Sequence, residues 1–190
     1  MKKILLSLVV GLVVLSAGYV QAATETYQLD PAHTNLGFKI KHLGISWVSG
    51  SFKKFEGTVV VDTDTPANSK IKVTVEANSV DTGNTKRDTH LNSPDFFDTA
   101  KFPTLSFEST KLTDKGQGVF EVEGNFTLHG VTKPVTITLN TAGPAAMQGQ
   151  TRRGGDTEFT IKRSDYGMDK MVGPVGDEVK ISLSFEAIKQ

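Results

Sequence analysis

Residues 179–186 read Val179-Lys180-Ile181-Ser182-Leu183-Ser184-Phe185-Glu186, in which apolar and polar side chains alternate without a break. Side chains of a β-strand point to opposite faces in turn, so this pattern predicts a strand with one apolar and one solvated face. Seven earlier stretches alternate in the same way, namely 36–42, 55–61, 71–78, 105–108, 120–128, 135–140 and 159–162. The chain is therefore predicted to be all-β, with eight amphipathic strands.

The connections between these strands contain turn-forming residues such as the His129-Gly130 pair. Ser49-Gly50-Ser51 is interpreted as a turn, and residues 141–156, which contain several glycines, as a mobile loop at a barrel mouth. Long one-sided strands joined by tight turns favour a closed antiparallel barrel. A small β-sandwich is the alternative.

Residues 84–102 break the alternation. Asn84 is expected to cap a short helix that ends near Leu91, and Pro103 closes a second turn. We expect this helical insertion to act as a lid or plug for the barrel. In Asp165-Tyr166-Gly167-Met168, Gly167 is expected to have a positive φ.

Composition excludes several classes of protein. The 190 residues include no cysteine, which rules out disulfides and thiolate metal sites. The 21 basic side chains balance 21 acidic ones, which argues against a nucleic-acid partner and against a polybasic membrane module. A hydrophobic fraction of 37% with 22% charged residues is typical of a folded chain.

Residues 1–22 have the three parts of a secretory signal: Lys2 and Lys3, an apolar run, and a cleavage site near Ala22. Removing them leaves residues 23–190 as one domain of 168 residues with 19 basic and 21 acidic groups, a net charge of −2. The predicted location is the periplasm, without a stable membrane anchor. A single N-terminal anchor is the alternative interpretation of the same run.

The inward-facing residues of the predicted strands are mostly Leu, Ile, Val and Phe. An eight-stranded barrel encloses either packed side chains or one small ligand. Periodicity alone leaves both a filled core and an elongated apolar cavity open.

Signals for catalysis are weak. The four histidines match no zinc motif, and neither a nucleophile elbow nor a phosphate-binding loop is present, so no metal and no cofactor are predicted. The most concentrated polar cluster contains Arg87, Asp88, His90, Asp95 and Asp98. It is interpreted as local ion pairs and caps that hold the insertion on the barrel, with acid–base catalysis as the alternative.

Five blocks of sequence closely resemble the signature of the YceI-like family. The longest runs from Arg87 to Asp98 and continues into Lys101-Phe102-Pro103. The other blocks follow the family order across the chain: His42-Leu43-Gly44 with Gly50-Ser51-Phe52 and Phe55-Glu56-Gly57, then residues 124–135, then Arg163 to Met168, then Gly176-Asp177-Glu178-Val179.

The resemblance implies a lipocalin-like barrel that is periplasmic in this branch and holds a polyisoprenoid or another long amphiphile. It also implies that a homodimer is possible, and it carries over no catalytic residue. The expected cavity wall comprises Leu36, Phe38, Ile40, Phe96, Phe97, Phe102, Leu105, Phe107, Phe120, Val122, Phe126, Leu128, Ile137, Phe159, Ile161, Ile181, Leu183 and Phe185. The expected polar mouth comprises His42, Arg87 and His90.

The predicted function is thus an exported, non-enzymatic protein that binds a polyisoprenoid or isoprenoid quinone in an apolar barrel. Two alternatives stay open. One is a stress-related structural or interaction protein with a filled barrel. The other is a lipid-acting enzyme that uses Asp88, His90 and Asp95.

Overall fold

The computed structural model describes residues 24–190, so the predicted leader, residues 1–22, lies outside the described residues. The helix α1 spans Thr85–Asn92. The strands are β1 (Thr24–Leu29), β2 (Asn35–His42), β3 (Ser46–Phe52), β4 (Phe55–Asp62), β5 (Lys70–Glu76), β6 (Val80–Asp81), β7 (Thr104–Gly116), β8 (Val119–Leu128), β9 (Val131–Met147), β10 (Gln150–Lys162) and β11 (Val175–Lys189).

The last strand, β11, closes the sheet. One edge of β11 pairs with β10, and its other edge pairs first with β2 and then with β1. The register places Leu183 opposite Leu36 and Ala187 opposite Leu29. β1 and β2 therefore occupy a single barrel position, interrupted by the 3-10 turn Pro31–His33.

Two further barrel positions are interrupted in the same way. β3 and β4 share one, and β5 and β6 share the next, because β3 pairs with β2 and β6 while β4 pairs with β1 and β5. The eleven strands of residues 24–190 thus fill eight positions, and positions consecutive in the chain are neighbours in space. All of these strand pairs are antiparallel. The predicted eight-stranded lipocalin-like barrel is confirmed, and the sandwich alternative is wrong.

The prediction of a turn at Ser49-Gly50-Ser51 is wrong. These residues lie in β3, where Ser49 pairs with Lys39 and Gly50 with Phe38. A Cβ atom on Gly50 would lie 2.5 Å from the Phe38 ring, so glycine is needed here for space inside the sheet.

The prediction of a mobile loop over residues 141–156 is also wrong. β9 continues to Met147 and β10 begins at Gln150, so only Gln148 and Gly149, both with positive φ, form the hairpin turn. A Cβ atom on Gly155 would lie 3.0 Å from the Phe185 ring. Gly155, one of the glycines that suggested a loop, therefore accommodates a close neighbour within the sheet.

The helical insertion is confirmed. The Asn84 side chain accepts a hydrogen bond from the Arg87 N–H, and α1 ends at Asn92, one residue beyond the expected end. At eight residues α1 is far too short to span a bilayer, and no other described helix has the length and hydropathy to do so. The insertion covers one end of the barrel, where Leu91 and Phe97 pack against the main core cluster.

Candidate functional site

The interior of the barrel holds a row of apolar cavities, described here from the end opposite α1. The first, the far-end cavity, has a volume of about 220 Å³ and is lined by Tyr27, Phe120 and Arg153 among others. The second, the central cavity, has a volume of about 100 Å³ and lies between Leu36 and Phe107. Apolar cavities of about 150 Å³ in other proteins accept benzene, so the far-end cavity is large enough to hold hydrocarbon.

Two further cavities continue the row toward α1. The helix-side cavity, about 90 Å³, is lined by Phe97 and Ile161 among others. The mouth pocket, about 270 Å³, lies beside α1 and is lined by residues that include His42 and Arg87. The polar lining of the row is therefore concentrated toward its two ends.

Aromatic side chains contribute to every partition between neighbouring cavities, together with aliphatic ones. Phe185 lines both the far-end and the central cavity. Phe52 and Phe126 line both the central and the helix-side cavity. Phe38 and Phe96 line both the helix-side cavity and the mouth pocket. Neighbouring cavities therefore share wall residues along the whole row.

Most of the predicted wall residues line this row. Sixteen of the eighteen predicted residues line at least one cavity. Fourteen of them lie in strands, and the other two, Phe96 and Phe97, lie in the turns that follow α1. They are Leu36, Phe38, Ile40, Phe96, Phe97, Leu105, Phe107, Phe120, Phe126, Leu128, Ile137, Phe159, Ile161, Ile181, Leu183 and Phe185.

Two predicted wall residues lie elsewhere. The Phe102 ring packs edge-on against His129 at 4.5 Å between centroids and contacts Gly130, so it lines none of the four cavities. Val122 is fully buried and packs in a small cluster with Leu112, Ile137 and Leu139. For these two residues the wall prediction is corrected, because close neighbours fill the space in front of their side chains.

The three predicted mouth residues come together. His42 from β2, and Arg87 and His90 from α1, line the same mouth pocket. Arg87 is partly engaged, since its Nε donates to the Thr82 hydroxyl at 2.7 Å and its Nη2 to the Thr82 oxygen at 2.8 Å. The structure thus places two imidazoles and one guanidinium at the α1 end of the row of cavities.

Of the three residues that the enzyme alternative requires, His90 and Asp95 are hydrogen-bonded to each other, whereas Asp88 bonds to Thr82. The Asp88 carboxylate accepts hydrogen bonds from the Thr82 N–H at 3.0 Å and from the Thr82 hydroxyl at 2.6 Å, so it serves as a local cap. His90 and Asp95 lie 3.0 Å apart, and Lys170 approaches Asp95 at 3.6 Å. The hydrogen bond with His90 is the main cause of the lowered pKa of Asp95. The cluster holds α1 to its neighbours, which is the structural role expected for it.

Sequence reasoning missed a polar group at the far end of the row. The Arg153 Nε donates to the Tyr27 hydroxyl at 3.1 Å, and that hydroxyl donates to the Glu25 carboxylate at 2.7 Å. The carboxylate also accepts from Lys189 at 2.7 Å, and this hydrogen bond is the main cause of the lowered pKa of Glu25. The sequence signal that could have found this group is the spacing of Glu25, Tyr27 and Leu29, which occupy every second position of β1 and so share one face of the strand.

A second missed residue is Arg163, which lies beside the helix-side cavity. Its guanidinium is buried and donates to the backbone oxygens of Met168, Lys170, Val175 and Gly176. Burial lowers the pKa of Arg163. The side chain therefore holds together the loop that precedes β11 on the mouth side of the barrel.

Among residues 24–190, one group of side chains has the spacing of a metal site. The ligand atoms of Asp30, His33 and Glu186 lie within 4.8 Å of one another. Arg152 already contributes the positive charge there, because its Nη1 donates to Asp30 at 2.7 Å and to Glu186 at 2.9 Å. An ion-pair network explains this arrangement without a bound metal.

The chain is similar to known proteins over nearly its whole length. The family model described as "YceI-like domain" matches residues 27–187. The protein YceI of Escherichia coli O6:H1 is 40% identical over 191 residues, which cover all of both chains.

Two solved structures share the fold. BcnA of Burkholderia cenocepacia is 25% identical with a TM-score of 0.77, over 83% of this chain and 98% of that one. A polyisoprenoid binding domain from Saccharophagus degradans is 18% identical with a TM-score of 0.69, over 86% and 98% of the two chains. Since the family match spans the barrel from β1 to β11 and the full-length relative supports it, the chain belongs to the YceI-like family.

Proposed function

We propose that this protein is an exported carrier that holds a long-chain isoprenoid, either a polyisoprenoid or an isoprenoid quinone, inside the barrel. The observation that carries the proposal is the row of four cavities with shared walls. The row is apolar along its centre, and its charged lining residues are concentrated at the ends. An extended hydrocarbon with one polar end matches this distribution of polarity.

The energetics favour such a ligand. Each Å² of apolar surface that leaves water contributes about 25 cal/mol, so a long hydrocarbon gains affinity along its whole length. The central cavity contains only two hydroxyl side chains, Ser106 and Thr157, so few polar groups would lose hydration. The branched chain of an isoprenoid suits walls of Phe rings, which have no polar atoms to leave unpaired.

The mouth pocket suits the polar end of the ligand. His42, Arg87 and His90 offer hydrogen-bond donors to a phosphate or a quinone oxygen. The fold that the chain shares with the Saccharophagus degradans polyisoprenoid binding domain supports the same class of ligand. In this proposal the residues bind and orient the lipid and do not transform it.

Extraction tests the proposal. Protein purified from its own host would be extracted with organic solvent, and the extract analysed by mass spectrometry. We expect a long-chain isoprenoid from the wild type. We expect none from Leu183→Trp, which fills the central cavity, and the wild-type amount from Ser184→Trp on the exposed face of the same strand.

Circular dichroism would show that both variants fold. Absence of a long-chain lipid from the wild type, or equal amounts from wild type and Leu183→Trp, would refute binding inside the barrel.

Export is tested separately. We expect osmotic shock to release the protein from the host, with an intact mass that corresponds to cleavage after Ala22 or Ala23. A protein that retains residues 1–22 and stays in the cytosol would refute this part of the proposal.

A further inference from the structure

An exposed apolar patch lies at the α1 end of the barrel. It comprises Leu43, Ile45, Trp47, Met171 and Val172, from the β2–β3 hairpin and the loop before β11. The two segments are joined where the Leu43 N–H donates to the Pro174 oxygen at 2.7 Å. Of the six exposed large apolar side chains in residues 24–190, five belong to this patch and the sixth is Met147. Such clustering marks an interaction surface.

Lysines surround the aromatic member of the patch. The Nζ atoms of Lys41, Lys180 and Lys39 lie 4.5, 5.6 and 5.9 Å from the centroid of the Trp47 ring. Lys39 is paired with Glu158 at 3.7 Å, whereas Lys41 and Lys180 have no carboxylate partner within residues 24–190. Asp177 and Glu178 line the groove beside Trp47, and Asp177 accepts hydrogen bonds from Ser164. Two cations are therefore available beside an exposed indole.

The patch borders the opening of the barrel. Met171 lines the mouth pocket together with His42, the residue that precedes Leu43. Leu43 itself has a φ of 54° in the three-residue loop between β2 and β3, a position that normally takes Asn, Asp or Gly. Neither the turn conformation nor core packing explains a leucine there, because its side chain lies in solvent.

We propose that this patch docks the barrel mouth onto the surface of a bilayer that contains anionic phospholipid. Exposed Leu, Ile and Met side chains on loop tips can insert among the acyl chains, and an indole prefers the interface between headgroup and hydrocarbon. Lys41 and Lys180 then lie at the depth of anionic headgroups. Docking in this orientation turns the mouth pocket toward the lipid.

The inference extends the proposed carrier function to the source of its ligand, but vesicle binding itself needs no occupied cavity. The two are therefore separable. Vesicle binding by a protein that yields no isoprenoid would refute only the carrier. An isoprenoid-loaded protein that ignores vesicles would refute only the docking surface.

Trp47 is the single tryptophan of the chain and reports on the patch directly. Vesicles of phosphatidylethanolamine and phosphatidylglycerol would be added to the purified full-length product, and its fluorescence and co-sedimentation followed. We expect a blue shift and sedimentation with these vesicles, and much weaker binding to phosphatidylcholine alone. Lys41→Ala and Lys180→Ala should each weaken binding about fivefold, which corresponds to about 1 kcal/mol per lysine.

Ile45→Ser is expected to abolish co-sedimentation, whereas Met147→Ser, at the tip of the β9–β10 hairpin, should bind like the wild type. All variants keep the same N-terminus, so the comparison isolates the patch. Equal binding by the wild type and Ile45→Ser would overturn the proposal. A dimer in analytical ultracentrifugation that Ile45→Ser converts to monomer would also overturn it, because a second copy would then cover the patch.

Discussion

The Nε of Arg163 donates a hydrogen bond to the backbone oxygen of Gly176 at 2.9 Å, and this contact joins the turn after β10 to the start of β11. The other donors of the same guanidinium reach three more backbone oxygens between residues 168 and 175. A single buried cation therefore organises the loop that carries Met171 and Val172 at the barrel mouth.

Replacing Arg163 with Met should remove all of these donors while keeping an apolar side chain of similar length. Unpaired buried carbonyl groups cost about 1–3 kcal/mol each, so we expect the free energy of unfolding to fall by about 3 kcal/mol. Urea denaturation measures the change. Lys162→Met, at the exposed neighbouring position, should stay within about 0.5 kcal/mol of the wild type, and an equal loss in both variants would contradict the assignment.

Gly167 has a φ of 75°, as predicted from its sequence context. Alanine at this position would be strained by about 1–2 kcal/mol, although a Cβ atom would meet only His129 at an ordinary 3.5 Å. Gly167→Ala should therefore lower the melting temperature, and Gly167→Asn should lower it less, because asparagine tolerates the left-handed conformation. An unchanged melting temperature in Gly167→Ala would disprove this explanation.

The Thr157 hydroxyl is buried against the central cavity and has no hydrogen-bond partner among the described residues. Valine has nearly the same shape and no polar atom. We expect Thr157→Val to raise the free energy of unfolding of the ligand-free protein by about 1 kcal/mol. Thr160→Val, exposed on the same strand, is the control for β-propensity. A loss of stability in Thr157→Val alone would show that the hydroxyl has a partner in the protein.

Acid unfolding should depend on Asp30. Hydrogen bonds from His33 and then from Arg152 lower the pKa of Asp30 from 3.8 to about 2. A lowered carboxyl pKa stabilises the folded state fully above pH 3.8, and this stabilisation is lost as the pH falls through about 2. The stability difference between wild type and Asp30→Asn should shrink over that interval. A difference that stays constant between these two pH values, measured by urea denaturation, would rule out this titration.

The strands could be predicted from the sequence wherever a strand has one apolar and one solvated face. That condition holds for residues 179–186 of β11 and for most of β8. It fails in β3, where Gly50 replaces an inward side chain, and in β10, where Gly155 does the same opposite Phe185. Rings from neighbouring strands occupy the vacant space, and a ring contributed by a distant segment leaves no trace in the local pattern.

The residues of the candidate site also fall into those that the sequence predicted and those that it missed. Most of the strand residues that were predicted to face inward do line the cavities, since the direction of a side chain depends on its position within the strand. Tyr27 in β1 and Phe52 in β3 also line cavities, but they were missed because neither strand was among the eight that were predicted. Phe102 and Val122 line none of the four cavities, because immediate neighbours fill the space in front of their side chains. The local sequence pattern carries no information about those neighbours.

By itself the sequence determined the all-β class, the eight barrel positions, the cap at Asn84 and the apolar character of the interior, because each depends on side chains close together in the chain. Only the tertiary structure decided that the barrel contains cavities, that Arg163 is buried beneath the mouth loop, and that His42, Arg87 and His90 line one pocket. These features arise where separate strands converge, and the space left between them depends on all the side chains that meet there.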